Sequence, residues 1–384
     1  MPFGPVDPSV DFVALEERVL TRWRAGGLAS AVARRRAGGP PWIFYEGPPT
    51  ANGRPGLHHV WARVFKDLFP RFRTMTGHDV PRKGGWDCHG LPVEIEIEKE
   101  LGLTGKNQIE EYGIDRFNER CRESVRRYVE DWAALTERAG VWIDTADAYW
   151  TMSNDYVESV WWLLRRLFDA GLLYEGHRVT PYCPRCGTAL SSHELGQPGA
   201  YREITDTSAY VRFPLDDDDA DLVVWTTTPW TLVSNVAAAV GPDLTYVRVV
   251  DPGGGRDLVV AEARLDAVAG DGARVKERTT GEALAGRRYR RPFELLPMDD
   301  RGARVVTAGF VATDEGTGIV HLAPAFGADD MDAAREWNLP VLNPVDANGT
   351  FDEQVVPWAG RRVKDTDPEV IADLEARGLL LRAE

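Results

Sequence analysis

Apolar positions along the chain first recur about every fourth residue. In DFVALEERVLTRWRA (11–25), Phe12, Leu15, Val19 and Trp23 share one helical face, Asp11 is placed to cap the helix and Gly26-Gly27 to stop it. The stretch predicts an amphipathic helix packed on a sheet. Arg34-Arg35-Arg36 follows in a loop flanked by Gly and Pro and reads as a solvated run. At Trp42-Ile43-Phe44-Tyr45 the apolar residues become continuous, which predicts a short buried strand stopped by Gly47-Pro48-Pro49. From His58 the helical spacing returns, with Val60, Val64, Leu68 and Phe72. Strand, loop and helix open a βαβ unit, and Gly84-Gly85-Trp86-Asp87-Cys88-His89-Gly90 follows at about the thirty-residue interval at which the next strand end falls due.

Residues 118–135 read as one helix with Cys121 half-buried in it. Residues 155–170 predict another, whose stripe of Val157, Val160, Trp161, Leu164 and Phe168 packs into a core and whose end is Gly171. From about residue 200 the elements shorten to strands such as YVRFPL, DLVVWTTTPW, TYVRVV and ARVVTAGFVA, separated by turn residues, so a compact β-barrel-like second domain is expected there. The prediction is an α/β chain with a helical extension over 1–40, a parallel α/β domain over 41–199 and an inserted β domain over 200–384, closing with a helix in 365–384.

Composition changes this picture little. The 384 residues are 43% hydrophobic and 27% charged, ordinary for a soluble globular protein. No apolar run approaches the roughly 18–20 residues that span a bilayer, and MPFGPVDPSV lacks a secretory pattern, so a cytoplasmic protein without membrane association is expected. A net charge of −15 argues against a general nucleic-acid binder, because any phosphate contact must come from a local basic face. Arg287, Arg288, Arg290 and Arg291 around Tyr289 form such a cluster; solvation is its simpler reading and contact with an RNA end the alternative. Asp216 to Asp219 reads as a solvated hairpin loop, with Ca²⁺ the reading to exclude. Of four cysteines, Cys183 and Cys186 have the C-x₂-C spacing that lets two thiolates share one Zn²⁺. A structural site needs four ligands; His177 and His193 are the nearby candidates, and two free thiols are the alternative.

Candidate chemistry lies where strands end. In a parallel sheet ligands gather at the carboxyl ends of strands, and a helix start offers N–H groups to phosphate. His58 and His59 sit at such a start and can donate to phosphate oxygens; Asp87, one loop further, can hold an ammonium. In the β domain, Trp225-Thr226-Thr227-Thr228-Pro229-Trp230-Thr231-Leu232 puts hydroxyls on both faces of a strand end. The stretch from Gly316 to Asp330 brings His321 and Asp330 to a second Gly-rich turn.

GPPTANG with the histidine pair, and GWDCHGLPVE, resemble the signature stretches of class I isoleucyl-tRNA synthetases, and the two β-domain motifs resemble that family's editing pocket. A valyl pattern fits the second loop less well, and a leucyl pattern the first. The resemblance implies the first half of a Rossmann-type nucleotide-binding domain interrupted by an editing domain, with ATP, Mg²⁺, isoleucine and tRNA-Ile as ligands. It implies that Gly47 and Pro48 line the isoleucine and adenylate cavity, that Gly56, His58 and His59 face ATP, and that Asp87 pairs with the substrate amino group. It further implies that Asp330 anchors the amino group of a misplaced valine, while Thr226, Thr228, Asn235 and His321 shape that pocket and orient water. One methylene separates valine from isoleucine and is worth only about 1–3 kcal/mol, a limit that isoleucyl enzymes themselves exemplify. A second pocket makes up the shortfall. The family's His-x-Gly-His signature falls on Gly56-Leu57-His58-His59, so glycine and the first histidine have exchanged places, as in isoleucyl enzymes expected to resist the adenylate mimic mupirocin. The resemblance also implies that a second cysteine pair beyond this sequence completes the zinc knuckle, and that a further half, with a Lys-Met-Ser-Lys-Ser loop, completes the enzyme. The chain therefore reads as an N-terminal piece, from a truncated or a split enzyme, that does not aminoacylate alone. The alternatives are a free-standing editing hydrolase and a non-catalytic tRNA-binding paralogue.

Overall fold

A computed structural model describes residues 9–270 and 272–384. The chain divides into two compact units, Met1–Glu175 and Gly176–Glu384, so the cysteine knuckle groups with the second. Helix α1 (Phe12–Ala25) is capped as expected, Asp11 accepting from the Ala14 N–H, but its buried residue is Leu20; Phe12, Leu15 and Val19 are exposed. The three arginines form the last turn of α2 (Leu28–Arg36) instead of a loop, a favourable place for cations at a helix C-terminus. Strand β1 (Phe44–Tyr45), helix α3 (Leu57–Met75) and strand β2 (Arg82–Trp86) make the βαβ unit, with β1 parallel to β2 and Phe44 opposite Arg82. Strand β3 (Asp144–Trp150) adds in parallel on the far side of β2. Because β1 is an edge strand, the buried strand expected over 42–45 is only partly so: Ile43 and Tyr45 are exposed.

Helix α3 is turned opposite to expectation. Its buried residues are Arg63, Asp67, Pro70 and Thr74, whereas Trp61 (72% exposed), Val64, Phe65, Leu68, Phe69 and Phe72 face outward. Matched charges make this possible: Arg63 pairs with Glu46 at 3.1 Å, Arg82 donates to Thr74 at 2.8 Å, and the Trp142 N–H donates to Asp67 at 3.1 Å. Arg71, ion-paired with Asp67, lies over the rings of Trp23 and Trp142 and so ties α1 to this unit.

Between β2 and β3 come α4 (Leu91–Leu101), α5 (Lys106–Tyr112), α6 (Ile114–Arg127) and α7 (Val129–Arg138). The single helix expected over 118–135 is broken at Tyr128, which ends α6 and begins α7 and whose hydroxyl donates to Glu96 at 3.1 Å. Helix α8 (Asn154–Asp169) starts at Ser153 and ends before Gly171 (φ +69°), but its aromatic stripe is not core: no residue of it is buried, and Trp161 is 68% exposed.

The second unit opens with a hairpin of β4 (Tyr182–Cys183) and β5 (Thr188–Ala189). A nine-stranded mixed sheet follows, built from β6 (Ala209–Pro214), β7 (Ala220–Thr226), β8 (Ala237–Val240), β9 (Thr245–Val249), β10 (Asp257–Ala261), β11 (Val275–Thr280), β12 (Arg304–Thr307), β13 (Ile319–Leu322) and β14 (Leu380–Ala383). The sheet branches at β7, which pairs with β10, β13 and β6, and the segment expected to close on a helix closes on β14, paired to β6 beyond the helix Asp367–Ala376. Val and Ala runs such as Ala237–Val240 are buried on both faces, as in a covered sheet.

The Asp216–Asp219 loop is not simply solvated. Arg287 bonds Asp217 and Asp218 at 2.8 and 2.9 Å, and Arg248 joins Asp218 to Asp257. Of the arginine cluster, Arg287, Arg288 and Arg291 are thereby held internally, Arg288 on the Asp300 and Gly302 carbonyls and Arg291, buried, on the Leu296 carbonyl, while Arg290 is exposed as expected.

Candidate functional site

Parallel strands bring the three loops at the carboxyl ends of β1, β2 and β3 to one edge of the first unit. The loops are stitched together. The Asp87 N–H donates to the Pro49 carbonyl at 3.0 Å, the Thr50 hydroxyl donates to the Asp87 carboxylate at 2.7 Å, and the Cys88 N–H donates to the Thr151 hydroxyl at 2.9 Å. His89 reaches the same hydroxyl at 3.0 Å. Lys66, on α3, donates to the Gly47 carbonyl at 2.7 Å and lies 3.4 Å from Glu46, so the Gly-Pro-Pro loop is held by the polar face of the helix it leads into. Asp87 thus keeps a half-buried carboxylate at the junction of two loops, tied to the loop that carries exposed Gly47 and half-buried Pro48.

At the start of α3 the two histidines differ. His58 is exposed; His59 is half-buried, its ring 3.7 Å from that of His58 and 4.5 Å from that of Trp132. The Gly56 N–H donates to His59 Nδ1 at 2.8 Å. That nitrogen is therefore the acceptor, and the proton of the neutral ring sits on Nε2. Burial first, then the neighbouring His58 and Arg63 charges, lower the His59 pKa and favour this neutral form. A Cβ placed on Gly56 would lie 3.0 Å from the exposed His58 ring, which would have to give by a few tenths of an ångström.

In the second unit, Thr226 ends β7 and Thr228 and Thr231 lie in the turn beyond it. Their hydroxyls form a chain: Thr226 to Thr228 at 3.3 Å, Thr228 to Thr231 at 3.4 Å, and Thr231 to His321 Nε2 at 3.0 Å. His321, on β13, is 7% exposed, and burial pushes its pKa down to about 4. Asp330 lies in the first turn of the helix Ala328–Trp337 and accepts the Ala323 N–H at 2.8 Å; burial raises its pKa, and that N–H opposes the rise. Asn235 is set apart from this cluster. It is fully buried, with its amide nitrogen on the Ala237 carbonyl at 3.0 Å and its oxygen taking the Tyr289 hydroxyl at 2.7 Å. Both ends of its side chain serve the framework.

Cys183 and Cys186 share the β4–β5 hairpin, and burial and the bond to Cys183 raise the Cys186 thiol. Among the described residues no third His, Cys, Asp or Glu joins them, so the donors present do not fit a tetrahedral Zn²⁺ site. The sequence reading missed Thr50, Lys66, Thr231 and Tyr289. Thr50 and Thr231 stood inside the motifs, but Lys66 and Tyr289 had no signal apart from their partners.

The edge formed by the loops after β1, β2 and β3 is where ligands bind in parallel α/β sheets. The chain belongs to the family described as tRNA synthetases class I (I, L, M and V), whose profile matches residues 18–337. It is 51% identical over 386 residues to the isoleucine–tRNA ligase of Thermobifida fusca, covering 99% of this chain and 36% of that protein. The isoleucine–tRNA ligases of Streptomyces coelicolor and Thermus thermophilus are 52% and 48% identical over 99% and 97% of this chain. The chain spans 36% of the length of each of these relatives. Among solved structures, that of GlLeuRS-CP1 covers 46% of this chain and 99% of itself at a TM-score of 0.37 and 15% identity. A ternary complex of Agrobacterium radiobacter K84 agnB2 LeuRS-tRNA-LeuAMS covers 98% of this chain and 48% of itself at 0.36 and 17%.

Proposed function

We propose that this chain is an N-terminal part of an isoleucine–tRNA ligase, carrying the first half of a Rossmann-type synthetic site and a barrel-like editing domain. The observation that carries the reading is the stitched edge of the first unit, where the Asp87 carboxylate is tied through Thr50 to the loop after β1, in a chain about half identical to isoleucine–tRNA ligases. In this reading Asp87 holds the ammonium of isoleucine, Gly47 and Pro48 bound its cavity, and His59 with His58 and the α3 start donate to ATP phosphates, with Gly56 leaving room. ATP supplies the adenylyl group, and Mg²⁺ enters on its phosphates. The protein's part is fixed donors where charge develops.

In the second unit, Asp330 would hold the amino group of a valyl ester and the Thr226–Thr228 hydroxyls would orient the water that attacks its carbonyl; Asn235 supports the site from behind. The remaining length of the relatives and the outward apolar faces of α3 and α8 favour a C-terminal half, in the same or another polypeptide, that completes synthesis on tRNA-Ile. No helix among the described residues is long and apolar enough to cross a membrane. A role in charging tRNA would place the chain in the cytoplasm. The test is deacylation of valyl-tRNA and isoleucyl-tRNA by the purified chain, with Asp330→Ala as control. Selective clearance of the valyl ester, abolished by the substitution, supports the reading; equal clearance of both esters overturns it.

A further inference from the structure

Ala-Asn-Gly occurs twice in the sequence, at 51–53 and at 347–349, so the two copies differ only in their surroundings. An asparagine followed by glycine can modify itself: with no Cβ to block the approach, the glycine backbone nitrogen reaches the side-chain carbonyl carbon. The attack needs that nitrogen free of its proton, so a hydrogen-bonded N–H resists it. In the second copy the nitrogen is engaged. The Gly349 N–H donates to the Asp346 carbonyl at 3.0 Å, and the Asp346 carboxylate accepts from the Asn348 and Thr350 N–H groups at 2.9 and 3.0 Å, setting negative charge beside any anion that forms there. In the first copy the Gly53 N–H has no hydrogen-bond partner among the described residues. The Trp132 indole N–H donates at 3.0 Å to the Gly53 carbonyl, on the other side of the residue, and the Asn52 side-chain nitrogen donates to the Pro92 carbonyl at 3.2 Å. A Cβ on Gly53 would meet no atom within 4 Å beyond its chain neighbours, so there is room around it. Exposure alone predicts the opposite order of reactivity, since Asn348 is exposed and Asn52 half-buried.

We propose that Asn52 is a site of spontaneous deamidation, and that its conversion severs the tie between the loop after β1 and helix α4. The Gly53 nitrogen bonds to the Asn52 side-chain carbonyl carbon, the bond from that carbon to Nδ2 breaks, and Nδ2 leaves as ammonia with the proton that Gly53 gives up. Water then opens the cyclic imide at either of its carbonyls. One opening restores the ordinary backbone with an aspartyl side chain; the other runs the backbone through the side chain as isoaspartate. Both routes exchange an amide for a carboxylate, consume a water and release ammonia. In either product the donor to the Pro92 carbonyl is gone, and a carboxylate cannot replace it because it only accepts. The chemistry does not rest on the ligand assigned to this edge of the first unit. Asn52 shares its loop with Thr50, whose hydroxyl holds Asp87, so the change falls on the stitched edge itself.

The experiment incubates the whole purified chain at mildly alkaline pH, folded and in urea. Peptide mass spectrometry follows the amide-to-acid mass gain at both asparagines, and enzymatic carboxyl methylation scores isoaspartate. In the folded chain Asn52 is expected to convert about tenfold faster than Asn348, the difference made by the bond that Gly349 must give up and the carboxylate beside it. In urea the two identical tripeptides are expected to converge on one rate. Gly53→Ala is expected to slow conversion at Asn52 severalfold and leave Asn348 unchanged, while Asp346→Ala speeds Asn348. Asn52→Asp reproduces one product, and the Val93 and Glu94 amides in the first turn of α4 are expected to exchange faster in it than in wild type. Asn348 converting as fast as Asn52 in the folded chain, or a gap of the same size persisting in urea, overturns the site. Exchange at Val93 and Glu94 unchanged by Asn52→Asp overturns the severed tie. The wild-type rates decide the site without any variant, so a substitution that fails to fold leaves the test intact.

Discussion

Tyr289→Phe isolates the role of Asn235. The tyrosine ring is 1% exposed and packs 5.1 Å from Phe213, so removing only its hydroxyl leaves the packing in place and deprives the buried Asn235 oxygen of its donor. A buried acceptor left unpaired costs about 1–3 kcal/mol. Burial raises the Tyr289 pKa well above the usual tyrosine value, with the Asn235 bond and nearby Arg291 opposing, so the folded protein keeps the hydroxyl proton where the unfolded chain, near pH 10, gives it up. Above that pH the unfolded state binds fewer protons than the folded one, and wild-type stability falls as pH rises. The phenylalanine variant lacks this dependence. Its deficit should be constant from pH 6 to 9 and shrink above about pH 10. Because tryptophans occur in both units, urea unfolding is best followed by hydrogen exchange of β8 and β13. Valyl-tRNA deacylation, measured where both proteins are folded, should change by less than about twofold, a framework effect and not a lost catalytic contact. A stability loss under about 0.5 kcal/mol, or a large loss of rate at full stability, would show that Asn235 belongs to the pocket after all.

Three further outcomes follow from the geometry. His321 is held down to about 4 against an ordinary 6.5, so the unfolded chain takes up a proton first as pH falls. Folding should therefore lose roughly 3 kcal/mol between about pH 6.5 and 4 relative to His321→Asn, read as the difference between their unfolding curves. Gly318 has φ +73°, and a Cβ there would lie 2.4 Å from that of Ala261. Gly318→Ala should cost the second unit at least about 2 kcal/mol in urea unfolding, and an unchanged midpoint would contradict the close approach. Thr50→Val removes the hydroxyl that ties the first loop to Asp87; hydrogen-exchange protection of the 87–89 amides should fall about tenfold while that of β2 holds.

Local chemistry was legible in the sequence; orientation was not. Asp11 as a cap, the parallel βαβ unit around Gly47 and the strand that ends at Thr226 all follow from short-range rules, and they are present. Helix α3 defeats the same rules because its apolar repeat and its buried face are different faces. Arg63 and Asp67 turn inward to meet Glu46 and Arg82, which lie in the flanking strand segments outside the helix's own repeat. Periodicity reports which face is oily, not which face has a partner. The Asp216–Asp219 run and the arginines near Tyr289 were each read alone as solvated, whereas Arg287, about seventy residues on, pairs with Asp217 and Asp218. Thr226, Thr228 and His321 were found as a motif, yet the hydrogen-bond chain through Thr231 needed distances.

The outward row of Trp61, Phe65, Leu68, Phe69 and Phe72 on α3 bears on how this polypeptide behaves outside its full context. A stripe of aromatic side chains facing water is adhesive to itself and to other partly covered proteins, and its attraction strengthens with warming and with sulfate. Concentrated solutions of the chain should self-associate more readily at 25 °C than in the cold, against the electrostatic repulsion that a charge of −15 would otherwise provide. Freshly synthesised chains would present the same surface to holdase chaperones until it is covered.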